Sequence, residues 1–193
     1  MEELSKPSLY ASLMGASWAR LDPAVRGAHL GQRDHLVAQG SFEVRGGQTR
    51  RARVIAALMR LPASGEKVAT TLRVRRGAGG RQRWTRHFGK SRPIETVQLR
   101  GPAQTMEERF GPVRLRFELA QEGGSLRYVQ VGAALGLGPL SCPLPAIFAP
   151  RVKGTEAGAG APGRTVVDVE ISTPLVGLLV GYKGWVEVAG EGG

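Results

Sequence analysis

The stretch RWTRHFG, residues 83–89, holds the residue types in this chain best suited to chemistry. Read as a strand, it places Trp84, Arg86 and Phe88 on one face and Arg83, Thr85 and His87 on the other. A permanent cation between two large aromatics, on the face a core would claim, needs a partner, because burying an unpaired charge is costly. A second stretch, MEERFGPV at 106–113, also ends its charged run in Phe-Gly, and in extended form it sets Glu108 and Phe110 on one face with Arg109 opposite. Glu108, Glu156 and Glu95 are the acids that could answer Arg86. A guanidinium–carboxylate pair lining a pocket would orient a polar group, or stabilise an anion and handle a proton. The plainer alternative is that Arg86 lays its stem over Trp84 and Phe88 and lets its head reach water. Tyr128 and Tyr182 offer hydroxyls either to a ligand or to a structural partner. His29 follows the cap-like pair Asp22-Pro23 on a short helix, where a surface position is the simpler expectation and a view into a cavity the other.

Other chemistries find little support. A G-x-G-x-x-G occurs at Gly158, Gly160 and Gly163, but a dinucleotide fingerprint must follow a strand and open a helix. Here EAGAGAPGR contains a proline and leads into a strand, so a hairpin connection explains it. His29, His35, His87 and Cys142 lack the paired spacings of zinc sites, so neither a metal nor a cofactor is called for. Cys142 precedes a proline with no nearby charge to activate it, which predicts a small buried apolar side chain.

The net charge of +11 is concentrated. Fifteen Lys or Arg face three acids between Glu43 and Arg100, while the rest of the chain has twelve basic and thirteen acidic residues. Such a segment suits an anionic small molecule, an acidic protein patch or an anionic membrane, or is simply a solvated face. No nucleic-acid module accompanies it, which makes nucleic acid the weaker partner. The single cysteine excludes an internal disulfide, the acidic N-terminus does not read as an export signal, and no apolar run approaches a membrane span. A cytoplasmic protein that is not transmembrane is the expectation.

These residues need elements to position them. Ser8–Arg20 reads as a helix, a second short helix runs from Asp22 to Gly31, and Gln48–Arg60 returns to helical spacing around Val54, Ile55, Leu58 and Met59. Ser41–Val44 is a candidate first strand. Val68–Arg76, Gln82–Phe88, Ile94–Arg100, Val113–Leu119, Leu126–Val131, Arg164–Ile171 and Leu175–Val188 follow as strands with turn signals between them. The proline-rich stretch 136–151 predicts an ordered apolar loop with one helical turn near Ala146–Phe148, lying over a cavity or packed on a helix. The sum is one α+β domain over 1–193, mostly β. A strongly curved antiparallel sheet or partial barrel is closed by two or three helices, with a core at about 8–188 and a flexible tail at 189–193.

Four stretches taken together, RLDPAVRGAHLG (20–31), RWTRHFG (83–89), MEERFGP (106–112) and PLVGLLVGYKGWV (174–186), resemble a bacterial domain-of-unknown-function family. LMRLPASGE (58–66) and the PLP at 143–145 also fit that resemblance. The family occurs alone or C-terminal to saccharopine-dehydrogenase-like proteins, which implies a small-molecule setting and supplies no catalytic residues. Three functions are consistent with the residues. The first is a binding domain for a hydrophobic or amphipathic small molecule, lined by Trp84, Arg86, Phe88, Glu108, Phe110, Tyr128, Tyr182 and His29. The second is a cofactor-independent enzyme of the cyclase or isomerase kind using the same cavity. The third is a basic interaction module.

Overall fold

Period-two alternation of apolar and charged residues obliges strand after strand to turn one face inward, and the chain satisfies all of them in a single ring. The computed structural model describes residues 8–29, 31, 33–137 and 140–189. It begins with α1 (Leu9–Met14), a 3₁₀ segment at Gly15–Arg20 and α2 (Pro23–Gly27). Strand β1 (His35–Gly46) comes before α3 (Arg50–Leu58) and β2 (Gly65–Arg76). A meander follows: β3 (Gln82–Phe88), β4 (Ile94–Arg100), β5 (Met106–Phe110), β6 (Val113–Glu122) and β7 (Ser125–Leu137). The last four strands are β8 (Leu140–Pro143), β9 (Arg151–Gly158), β10 (Arg164–Thr173) and β11 (Gly177–Val188).

Neighbours run β1 to β7 in order, then β9, β10 and β11, which returns to β1. The β6–β7 pairing completes the ring, so the fold is a closed ten-stranded antiparallel barrel, and the expected partial barrel is corrected to a complete one. Strand β8 stands outside the ring and, among the described residues, pairs with β7 alone. Inward positions carry Leu36, Phe42, Leu72, Val74, Phe88, Phe117 and Leu126, all buried, while Arg73, Glu95, Arg116, Glu118, Lys153 and Lys183 are exposed outside. A barrel crossing a bilayer needs the opposite arrangement, with an apolar outer band. No helix among the described residues is long and apolar enough to cross a membrane.

The up-and-down order sorts the connections by end. One end, the floor, is plugged by α1, α2 and the turn after it, which bury Tyr10, Leu21, Val25 and His29. Ser8 caps α1 by accepting from Ala11 N at 3.0 Å, and Asp22 caps α2 by accepting from Ala24 N at 2.8 Å. The other end, the mouth, carries α3, the turns after β3, β5 and β10, and the β7–β9 excursion that includes β8.

Several expectations are revised by this arrangement. The first strand is longer than the expected Ser41–Val44, because β1 extends back to His35 through the inward Leu36 and Ala38. Helix α2 stops at Gly27 rather than Gly31, leaving His29 in the turn beyond. The loop at 136–151 contains β8, although the helical turn near Ala146–Phe148 is there, with Phe148 N donating to Pro145 O at 2.9 Å. Cys142 is exposed, because no layer covers the edge strand β8. In the expected tail, Ala189 N donates to Val37 O at 2.9 Å, and residues 190–193 lie outside the described residues.

The seam between β1 and β11 is unusually tight. Phe42 pairs with Gly184 and Gly40 with Val186, and a Cβ on Gly40 would collide with the Trp185 carbonyl, one on Gly184 with the Ser41 carbonyl. Only backbone without side chains permits this approach. Gly184→Val should therefore cost about 2–3 kcal/mol, the upper range of overpacking. Thermal unfolding should show a melting temperature lower by roughly 5–10 °C, and an unchanged value would mean that the seam is not constrained.

Candidate functional site

The register of β3, β4 and β5 builds the first polar cluster. Arg86 pairs with Ile94 and Trp84 with Thr96, while Gln98 pairs with Glu108, so β4 separates the guanidinium from the carboxylate. The Arg86 side chain spans β4: Nη1 donates to Thr96 Oγ1 at 3.1 Å, and Nη2 lies 3.5 Å from Glu108 Oε1. Its guanidinium carbon sits 5.2 Å from the centre of the Trp84 ring, within cation–π range. Side-chain exposure is only 19% for Arg86 and 17% for Glu108, so the head of Arg86 is paired inside rather than released to water. The separation of 3.5 Å exceeds a charge-assisted hydrogen bond, so both partners retain hydrogen-bonding capacity.

A second cluster centres on Glu156 of β9. Its Oε1 accepts from the Tyr128 hydroxyl of β7 at 2.7 Å, and its Oε2 meets His29 Nε2 at 3.0 Å. The Tyr10 hydroxyl lies 3.1 Å from that of Tyr128 and donates to Gln98 Oε1 at 2.8 Å. A hydrogen-bonded row thus runs from His29 through Glu156, Tyr128 and Tyr10 to Gln98, which faces Glu108 across the β4–β5 pairing. Stacking supports the row from the floor: the imidazole of His29 lies over the Tyr10 ring at 3.8 Å between centres.

Burial and neighbours set the protonation states together. Burial drives the Tyr10 and Tyr128 phenols well above their ordinary range, and the Glu156 carboxylate reinforces it. Burial likewise raises Tyr182, so all three are neutral hydroxyls at physiological pH. Burial alone would raise Glu156, but His29 and the hydrogen bonds from His29 and Tyr128 outweigh it and hold the carboxyl below its ordinary value. For Arg86 burial opposes the charge, but the Glu108 carboxylate favours it, as Tyr182 would once ionised, and the guanidinium stays protonated.

Between the clusters lies a cavity of about 140 Å³, close to the size of an engineered core cavity that accepts benzene. Trp84, Arg86, Phe88, Glu108, Phe110, Tyr128 and Tyr182 all contribute to its wall. His29 does not. It is fully buried behind the wall, which corrects the surface position expected for it, and it backs the cavity residues Glu156 and Trp84. Burial follows from the turn after α2, which folds the ring under Tyr10 and toward Trp84.

Sequence reasoning names Glu156 only as a possible partner of Arg86 and does not single out Tyr10, Gln98 or Thr96. Tyr10 shows only its place on the buried stripe of α1, and Gln98 and Thr96 occupy inward positions of a strand whose alternation is otherwise plain. Glu156→Gln replaces a carboxylate that accepts from two donors, at an expected loss of about 1–3 kcal/mol at neutral pH. Because the folded carboxyl titrates below its ordinary value, this contribution is complete above that value and is lost as pH falls through the depressed one. The gap in melting temperature between wild type and variant should be widest near neutrality and close on acidification. A gap independent of pH would show that the charge of Glu156 is not what the cluster uses.

Comparison with known proteins yields one match. Residues 21–186 fit a family model described as "Domain of unknown function (DUF4166)". That span includes β1 to β10, all but the end of β11, and every cluster residue except Tyr10. No curated protein matches the chain, and no solved structure does. With most of its length inside the family model, the chain belongs to the DUF4166 family.

Proposed function

We propose that this chain is a cytoplasmic binding domain whose barrel holds an amphipathic small molecule, with the apolar body in the cavity and a polar head between Arg86 and Glu108. The observation that carries this reading is a largely apolar cavity containing one loosely joined guanidinium–carboxylate pair. A cavity of apolar wall with a few convergent polar groups is the usual form of a small-molecule site. The pair also selects the head. Arg86 can donate to an oxygen and Glu108 can accept from a hydroxyl, which suits a neutral hydroxy or keto group. A carboxylate head would gain from Arg86 about what it loses to Glu108, roughly 4 kcal/mol at about 4 Å and an effective dielectric constant of 20, and Glu156 would add a further, uncompensated repulsion. The resemblance to domains that accompany saccharopine-dehydrogenase-like proteins agrees with a small-molecule role.

One arrangement favours a second reading, a cofactor-independent isomerase or cyclase. The Tyr128 hydroxyl lines the cavity and backs onto Glu156 and His29, a row through which a proton could be passed. Under this reading the bound molecule is recovered rearranged but of unchanged mass after incubation with wild type, and unaltered after incubation with Glu108→Gln or Tyr128→Phe.

Native mass spectrometry of the protein after exposure to a lipid and metabolite extract tests the binding reading, and it should retain a defined small molecule. The double variant Arg86→Met, Glu108→Gln removes both charges together, so neither is left buried and alone. It should weaken a polar-headed ligand by about 10- to 100-fold, the worth of one charged hydrogen bond, and leave a pure hydrocarbon unaffected. Repeated recovery of empty protein, with Trp84 fluorescence indifferent to every extract fraction, would overturn the proposal.

A further inference from the structure

The large apolar side chains that remain exposed are not scattered. Among the described residues, all but Val129 and Val131 lie at the mouth: Val54 and Leu58 on α3, Leu135 and Leu140 on β7 and β8, Ile147 and Phe148 in the following turn, and Leu175 between β10 and β11. Helix α3 turns the wrong residues outward for a helix packed on a barrel. Ala52 is fully buried, while Leu58 is 78% exposed and lies in one row with Val54 and Arg51. Some cations at this end are paired, Arg45 with Glu43 and Arg109 with Glu107, but a larger group is not. Arg50, Arg51, Arg53, Arg60, Lys90 and Arg92 are exposed and have no carboxylate partner among the described residues. Toward the floor, Arg76, Arg127 and Arg164 are paired with Asp34, Glu122 and Glu187. Arg75 and Arg81 are exposed cations there without large exposed apolar neighbours, so it is the combination of free cations and exposed apolar side chains that marks the mouth.

The cavity leads to this same end. Its wall continues through Met59 and Leu61 beyond α3, and through Phe110, Val113 and Ile171 at the mouth-side ends of their strands. We propose that the mouth docks on an anionic lipid bilayer, with the exposed apolar side chains of α3, β8 and the neighbouring turns entering the headgroup layer and the free arginines and lysines lying against lipid phosphates. Charge complementarity selects the occupant. Exposed apolar side chains on separate elements of one end, with unpaired cations on α3 and in the turn after β3, meet both of their requirements at an anionic bilayer surface, as interfacial helices do. An acidic protein would satisfy the cations and leave the apolar side chains without a partner. The outer wall, charged with both signs, keeps the barrel body out of the membrane. This docking deepens the binding reading by naming the source of an amphipathic ligand, but it does not require that the ligand be present.

Sedimentation with vesicles of phosphatidylcholine, alone and in equal mixture with phosphatidylglycerol, tests it. The protein should bind the anionic vesicles, ignore the neutral ones and be released by high salt. Arg51→Gln with Arg53→Gln should lower binding by roughly 30-fold, at about fivefold for each charge. Leu58→Ser and Phe148→Ser should each lower it about tenfold, the worth of one buried large apolar side chain. Arg75→Gln with Arg81→Gln, exposed cations at the floor, should leave it unchanged. Absence of binding at low salt overturns the proposal, as does equal sensitivity to the floor and mouth pairs. Binding to polyglutamate as strong as to vesicles, unaffected by Leu58→Ser, would assign the face to an acidic macromolecule instead. Val169→Phe, which fills the cavity, should abolish ligand binding and spare vesicle binding, so failure of the docking and failure of the ligand reading are read separately.

Discussion

Closure of the ring, with β6 paired to β7 and β1 to β11, is the constraint from which the rest follows. Once it forms, every strand of the ring has two neighbours, no edge remains apart from the appended β8, and alternation along each strand becomes a strict division between inside and outside. Polar groups inside such a ring can turn to little besides one another. Arg86, Glu108, Thr96, Gln98, Tyr10, Tyr128, Glu156 and His29 are therefore arranged by mutual need, each placed where a neighbouring strand or the floor supplies its counterpart.

The two clusters differ in character. Around Glu156 the donors are short and fixed, and the carboxylate is held ionised against its burial by His29 and Tyr128. That is the pattern of a structural network, which would lose heavily from the removal of one member. Around Arg86 the contacts are longer, the partners partly open to the cavity and the capacity for further hydrogen bonds intact. Gln98 joins the two, bonded to Tyr10 on one side and facing Glu108 on the other. A rigid floor thus holds in register the part of the wall that is free to meet something else.

Much of this was legible in the residues, and the failures have definite causes. RWTRHFG and MEERFGP alternate cleanly, so the shared face of Trp84, Arg86 and Phe88 follows from strand periodicity, which leaves Glu108 as one of three acids that could meet Arg86. Strand β9 escapes the same reasoning. Its inward positions are Val152, Gly154 and Glu156, only one of them apolar, so the pattern that would reveal the strand is erased by the residues that matter most in it. Gly154 is small because the Tyr128 ring lies against it, a contact between strands that no local pattern encodes. His29 shows the other limit: a polar residue in a turn reads as exposed until its partner, distant in sequence, is in place. Closure itself was not legible, since a curved sheet and a complete ring share the same strands.

One pairing in the ring is unlike the others. Every other neighbour in the ring is a successor in the chain, or separated from it only by β8, and can zip from a nearby turn, whereas β1 meets β11 by bringing Ala38 to Val188. The entropy of loop closure is therefore concentrated in a single late encounter between the two ends of the polypeptide. Gly40 and Gly184 sit in that encounter, so the place where the chain has most freedom to lose is also where its backbones must nest most closely. A permuted polypeptide with its original termini joined and its break moved to the β6–β7 turn would carry the long-range step elsewhere, turning the slowest junction of the native order into an ordinary hairpin.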